Sequence, residues 1–132
     1  MMLDTSAYSA FKRGHSQVIV AVQQARTILL PTIVIGELLA GFELGTQLAR
    51  NQRELAEFQN NSRVQVVPIT QETAARYAHI FAQLRRGGRP IPTNDLWIAA
   101  SAMEYGAVLM TTDKHFLDIP QIIVRRIQAP EQ

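Results

Sequence analysis

Cysteine is absent from this sequence, which excludes disulfide bridges, thiolate metal ligands and a cysteine nucleophile together. Lysine is nearly absent: of thirteen basic residues only Lys12 and Lys114 are lysine, and eleven are arginine. Long apolar runs are missing too. The strongest, Ile33 to Ala40, is interrupted by Gly36 and Glu37 and is too short to cross a bilayer. Met1-Met2-Leu3-Asp4 lacks the basic stretch and apolar segment of a secretion signal, so the expected location is cytoplasmic, away from membranes. With no repeat, low-complexity tract or flexible linker, residues 1–132 read as a single domain.

What is present suits such a domain. A chain of 132 residues buries roughly two-thirds of the surface its unfolded form exposes, enough for one real core. The 47% hydrophobic and 18% charged content is that of an ordinary globule. A net charge of +2 does not by itself imply a nucleic-acid partner. The arginine bias fits bidentate phosphate contacts, and it fits high-GC codon usage as well.

Turn residues divide the chain into alternating short strands and longer helices. Met2-Leu3 is a short strand stopped by Asp4-Thr5-Ser6, residues that also cap helices. Helices are expected over Tyr8–Lys12, Val18–Arg26 behind a Ser16 cap, Ile33–Leu44 behind a Thr32 cap, and Gln47–Phe58. Thr27–Leu30 and Val64–Val67 read as strands closed by Pro31 and Pro68. Thr70 opens a helix that runs to Arg86 before Gly87-Gly88, with Thr73 in an N-cap turn that lacks the full capping box. Pro90-Ile91-Pro92 is a rigid loop, after which Thr93-Asn94-Asp95 caps a helix ending at Gly106. Ala107–Thr111 and Ile122–Val124 complete the strands. This alternation predicts an α/β layer structure with a mostly parallel sheet, whose ligands collect at the carboxyl ends of its strands.

The acids fall at those ends. Of only four aspartates, Asp4 and Asp113 follow strands and Asp95 opens a helix. Each has a plain structural role open to it, because aspartate caps exposed helical N–H groups. Glu37 has apolar neighbours at nearly every helical spacing, and burying an ionised carboxylate unpaired costs several kcal/mol. It must face solvent, pair with an arginine, or look into a pocket where a cation compensates it. Four carboxylates in one pocket would repel by roughly 4 kcal/mol per pair at ~4 Å and a dielectric of about 20. A divalent cation removes that repulsion, and hard oxygen donors favour Mg²⁺ or Mn²⁺ over zinc. Phosphodiester hydrolysis is the chemistry that fits such a site best.

These residues resemble the PIN-domain ribonucleases, and most closely the VapC toxins of type II toxin–antitoxin modules. The resemblance rests on Leu3-Asp4-Thr5-Ser6, Ile35-Gly36-Glu37-Leu38, the block from Ile91-Pro92-Thr93-Asn94-Asp95 to Ala100, and Thr111-Thr112-Asp113-Lys114-His115-Phe116. These motifs occur in the family's order and cover the chain end to end. The resemblance implies a PIN-like three-layer sandwich, with a central, mostly parallel sheet of about five short strands flanked by helices. It implies an Mg²⁺- or Mn²⁺-dependent endoribonuclease whose catalytic and metal-binding quartet is Asp4, Glu37, Asp95 and Asp113. Thr5, Ser6, Asn94 and Thr112 would support that quartet, the hydroxyls through hydrogen bonds. It further implies a homodimer silenced by a cognate VapB-like antitoxin, in a heterotetramer or larger assembly. One departure stands out: only three residues precede Asp4, so the first strand is expected to have few backbone partners.

Other polar residues carry less. His15, His79 and His115 show no metal-ligand spacing, although His115 is placed to touch RNA. Trp97 reads as helix core, and Asp118 as a loop acid. Arg85, Arg86 and Arg89 surround Gly87-Gly88, where they form a solvated helix end or contact RNA or antitoxin. Two other functions stay open: a non-catalytic PIN-like RNA- or protein-binding module whose acids merely cap helices, and a PIN nuclease of RNA processing outside any toxin–antitoxin system. A receiver or small phosphatase domain does not fit, because Asp4-Thr5-Ser6 lacks a second aspartate two residues on.

Overall fold

The computed structural model describes residues 1–128. In chain order the elements are β1 (Met2–Leu3), α1 (Thr5–Lys12), α2 (Ser16–Gln24), β2 (Ile28–Pro31), α3 (Thr32–Leu44), α4 (Leu48–Asn60), β3 (Val64–Val67), α5 (Gln71–Arg86), α6 (Thr93–Tyr105), β4 (Val108–Thr111) and β5 (Ile123–Arg126). A 3₁₀ turn, Lys114–Asp118, joins β4 to β5. The sheet order is β3-β2-β1-β4-β5, every pair is parallel, and six helices flank it among the described residues. This is the expected three-layer α/β architecture. No helix among the described residues is long and apolar enough to cross a membrane.

Burial follows sequence. All of β1 and β2 and most of β4 are buried, as parallel strands covered on both faces must be. The edge strands β3 and β5 alternate or expose their side chains. Far from being poorly partnered, β1 lies at the centre of the sheet, pairing Met2 with Leu29 on one side and with Leu109 on the other. Asp4 extends that ladder by donating its N–H to Met110 O at 3.3 Å. Two residues therefore suffice, because neighbours on both sides satisfy them.

Several helix ends differ from expectation. Neither Ser16 nor Thr32 caps its helix; His15 and Pro31 hold those positions, and the Thr32 hydroxyl donates instead to Val67 O across to β3. The box at the start of α5 is complete, since Thr73 accepts from the Thr70 N–H and Thr70 from that of Thr73. A threonine thus fills the place usually held by glutamate. Gly106 ends α6 in the left-handed region at φ 58°, a conformation glycine adopts without Cβ strain.

The connections position the site. From β1 the chain moves to β2 and β3 on one side, returns through α5 and α6 to β4 on the other, and continues outward to β5. β1 and β4 are neighbours whose onward connections diverge, which opens a crevice at their carboxyl ends.

Candidate functional site

Asp4 and Asp113 stand at the two lips of that crevice, Asp4 directly after β1 and Asp113 two residues after β4. α3 contributes Glu37 and the first turn of α6 contributes Asp95. All four carboxylates, with Thr5, Ser6 and Ile98, line one cleft of about 230 Å³.

Asp4 is the most enclosed, at 4% exposure. Its Oδ1 accepts from the Ala7 N–H at 2.8 Å and the Ser6 hydroxyl at 2.7 Å, and its Oδ2 accepts from the Thr111 hydroxyl at 2.5 Å. Burial pushes its pKa up, the hydroxyls of Thr111 and Ser6 and the Ala7 N–H pull it back, and the charge of Asp113 adds to the rise. Asp4 is thus both the N-cap of α1 and a wall of the cleft. Asp113 likewise accepts from the His115 N–H at 2.8 Å, capping the 3₁₀ turn.

Capping does not account for the other two acids. α6 begins after Pro92 with no side-chain cap, so the Asp95 carboxylate makes no such bond. Burial first, and then the charges of Asp113, Glu37 and Asp4, push its pKa up to about 6. Glu37 is half-buried and pairs with no arginine among the described residues. Its oxygens accept instead from the Thr5 hydroxyl at 2.5 Å and the Asn94 amide at 3.3 Å.

The supporting groups divide differently from expectation. Thr112 reaches the site through its backbone N–H, which donates to the Ser6 hydroxyl at 2.9 Å. The neighbouring Thr111, fully buried, supplies the hydroxyl, which also accepts from the Asp113 N–H at 2.9 Å. One hydroxyl therefore ties Asp4 to Asp113. Thr111 is the last residue of β4 and fully buried, whereas Thr112 lies just beyond the strand and is partly exposed. His115 also stands closer to the acids than its sequence position suggests, its Nδ1 3.0 Å from Asp113 Oδ1 and 3.9 Å from Asp95 Oδ2. None of Arg85, Arg86 and Arg89 lines the cleft. Arg85 lies over the Phe81 ring, and Arg89 pairs with Asp118 at 3.2 Å.

The donor set could hold a divalent metal ion. Asp95, Asp113 and His115 each offer a ligand atom, all within 4.8 Å of one another. Oxygen dominates the remaining lining, and the charge repulsion felt at Asp95 is what a cation would relieve.

Comparison with known proteins decides the family. The model of the PIN domain matches residues 1–122. The chain belongs to the PIN-domain family. Among this PIN domain's relatives, the ribonuclease VapC2 of Rickettsia felis is 31% identical over 99 residues, 74% of this chain and 72% of that protein. The ribonuclease VapC4 of Mycobacterium tuberculosis is 27% identical, over 70% of this chain and 71% of its own length. Among solved structures, VapBC2 from Rickettsia felis bound to a promoter DNA fragment matches with a TM-score of 0.86 at 26% identity, covering 96% of this chain and 98% of that one. VapBC-1 from nontypeable Haemophilus influenzae matches at 0.83 and 27% identity, over 95% and 96%. The PIN domain described here shares their fold over nearly its whole length.

Proposed function

We propose that this PIN domain is a divalent-metal-dependent endoribonuclease acting as the toxin of a toxin–antitoxin module. The observation that carries the reading is the convergence of Asp4, Glu37, Asp95 and Asp113 on one cleft at the β1–β4 switch point. The names of its relatives, ribonucleases called VapC and VapBC complexes, support the toxin role.

Asp95 and Asp113, with Glu37 and Asp4 beside them, would hold Mg²⁺ or Mn²⁺. Such an ion supplies charge stabilisation at a phosphoryl oxygen and makes water more acidic. The chain's own residues do the positioning. Thr111 and Ser6 fix both oxygens of Asp4, and Thr5 and Asn94 fix both oxygens of Glu37. With their rotamers set, these acids lose little freedom when a substrate docks. Asp95, whose pKa burial and the neighbouring acids raise to about 6 in the metal-free protein, would give up its proton on holding the ion.

Partners follow from the same reading: RNA as substrate, a VapB-like antitoxin, and assembly as a homodimer or as a heterotetramer or larger complex with that antitoxin. Purified protein should cleave RNA with Mg²⁺ or Mn²⁺, stop in excess EDTA, and lose at least ~10²-fold activity as Asp4→Asn or Asp95→Asn. Full activity in EDTA or in either variant refutes the proposal. A non-catalytic module is the second reading, favoured by the caps that Asp4 and Asp113 do make. It leaves Asp95 and Glu37 without a role, and it requires that metal leave the melting temperature unchanged.

A further inference from the structure

A second hollow, of about 420 Å³, opens between α1, α3 and α4. Lys12 and Arg13 at the end of α1 and Arg50 near the start of α4 surround it, against the single carboxylate of Glu54. Lys12 lies 3.0 Å and Arg50 3.5 Å from that carboxylate, while Arg13 has no ion pair among the described residues. The site therefore carries excess positive charge, with the amide of Asn51 beside it. Its wall also holds an unusual group. Tyr8 is 2% exposed, and its hydroxyl has no hydrogen-bond partner among the described residues. Burial and the charge of Glu54 push the Tyr8 pKa up to about 12, so the hydroxyl stays a donor at any physiological pH. A buried donor without an acceptor is costly, and it is rare in folded proteins.

The hollow and the acidic cleft are built on two of the same helices. α1 carries Thr5 in the cleft and Tyr8 in the hollow; α3 carries Glu37 in one and Leu38 in the other. At 1.5 Å of rise per residue, the hollow extends from ~5 to ~12 Å along α1 from Thr5. We infer that it holds a backbone phosphate of the RNA strand whose scissile bond lies in the acidic cleft, gripped by Lys12, Arg13, Arg50 and the Tyr8 hydroxyl. An RNA strand carries anions at short, regular intervals, so one chain can meet both sites, and the arginine fork matches a phosphate's paired oxygens. The inference rests on the ribonuclease reading above.

The test is binding of a fluorescent single-stranded RNA to the Asp95→Asn protein in EDTA across a salt series. Adding Arg13→Gln and Arg50→Gln together should weaken binding roughly tenfold and flatten the plot of log Kd against log salt by about 0.7 for each phosphate no longer neutralised. Glu54→Gln, which leaves the cations in place, should tighten binding, and Tyr8→Phe should weaken it without lowering the melting temperature. Unchanged Kd and slope in the double variant overturn the inference. So does a double variant that keeps RNA but loses an oligoglutamate peptide, since the hollow would then be a protein-docking site. The two readings fail separately. A wild type that binds RNA through these arginines yet never cleaves it refutes the ribonuclease alone, and an active Arg13→Gln/Arg50→Gln protein with unchanged KM refutes the phosphate site alone.

Discussion

The buried hydroxyl of Thr111 donates to Asp4 Oδ2 at 2.5 Å, across 107 positions of sequence. The Thr111 Oγ1 in turn accepts from the Asp113 N–H at 2.9 Å. One side chain thereby sets the spacing between the acid that follows β1 and the acid that follows β4.

Replacing it isosterically isolates that role. Thr111→Val keeps the shape and β propensity but leaves the Asp4 carboxylate and the Asp113 N–H each short of a partner. Each buried unsatisfied group costs about 1–3 kcal/mol, so urea unfolding should show a loss of at least about 1 kcal/mol. RNA cleavage should fall with the fold intact. A variant within ~0.5 kcal/mol of wild type, the usual scatter of neutral surface changes, would mean that the hydroxyl does not hold the two acids.

Asp95 makes stability depend on pH. Its folded pKa of about 6 lies above the ordinary ~3.9 of an unfolded aspartate, so the folded state binds the proton more tightly. The metal-free protein therefore gains stability from this group as pH falls from about 7 towards 4, and loses it as pH rises through 6. Asp95→Asn should melt higher than wild type at pH 7.5, with the gap closing near pH 5. Equal gaps at both pH values would count against a repelled carboxylate.

Metal should counter the same repulsion. Adding Mn²⁺ at pH 7.5 is expected to raise the melting temperature by mass action, and the rise should shrink below pH ~6, where protons compete for the carboxylates. Calorimetric titration of Asp95→Asn should show weakened binding. A pH-independent rise, or one unaffected by that variant, would place the ion elsewhere.

Two glycines give opposite expectations. Gly106 holds φ 58°, and no atom lies within 4 Å of where a Cβ would stand, so Gly106→Ala meets no clash but incurs the left-handed penalty. That penalty is about 1–2 kcal/mol. Gly41, inside α3, also has open space and an ordinary helical backbone. Gly41→Ala should stabilise by about 0.5–1 kcal/mol. Chemical denaturation of both variants checks the pair, and equal signs would contradict it.

The strand-and-helix order was legible because turn residues bracket each apolar run, and the four acids were legible because three of them terminate strands or open helices. The central place of β1 was not. Met2-Leu3 looks like a frayed edge until β4 returns beside it, and only then do both of its faces and both of its ladders fill. Local pattern pointed to Thr112 for a hydroxyl that Thr111 supplies, since the two are chemically alike and only the end of β4, which buries the first, tells them apart. His115 gained its place through the 3₁₀ turn, which brings its ring back over Asp113. The end-on contacts of the caps were similarly invisible, as at Thr32, whose hydroxyl goes to another strand rather than to its own helix.

The position of β1 also fixes when this protein can act. Its acids are spread along the chain from Asp4 through Glu37 and Asp95 to Asp113, and β1 is hydrogen-bonded on both sides only once β4 has arrived. Pairings this distant form late, because their loop-closure entropy must be met first. A chain synthesised only as far as β3 therefore carries Asp4 and Glu37 without Asp95 and Asp113, and the cleft assembles only after β4 and the residues that follow it have been made. If the chain is the toxin proposed above, translation itself delays its activity, leaving time for a partner to be present when the site first closes.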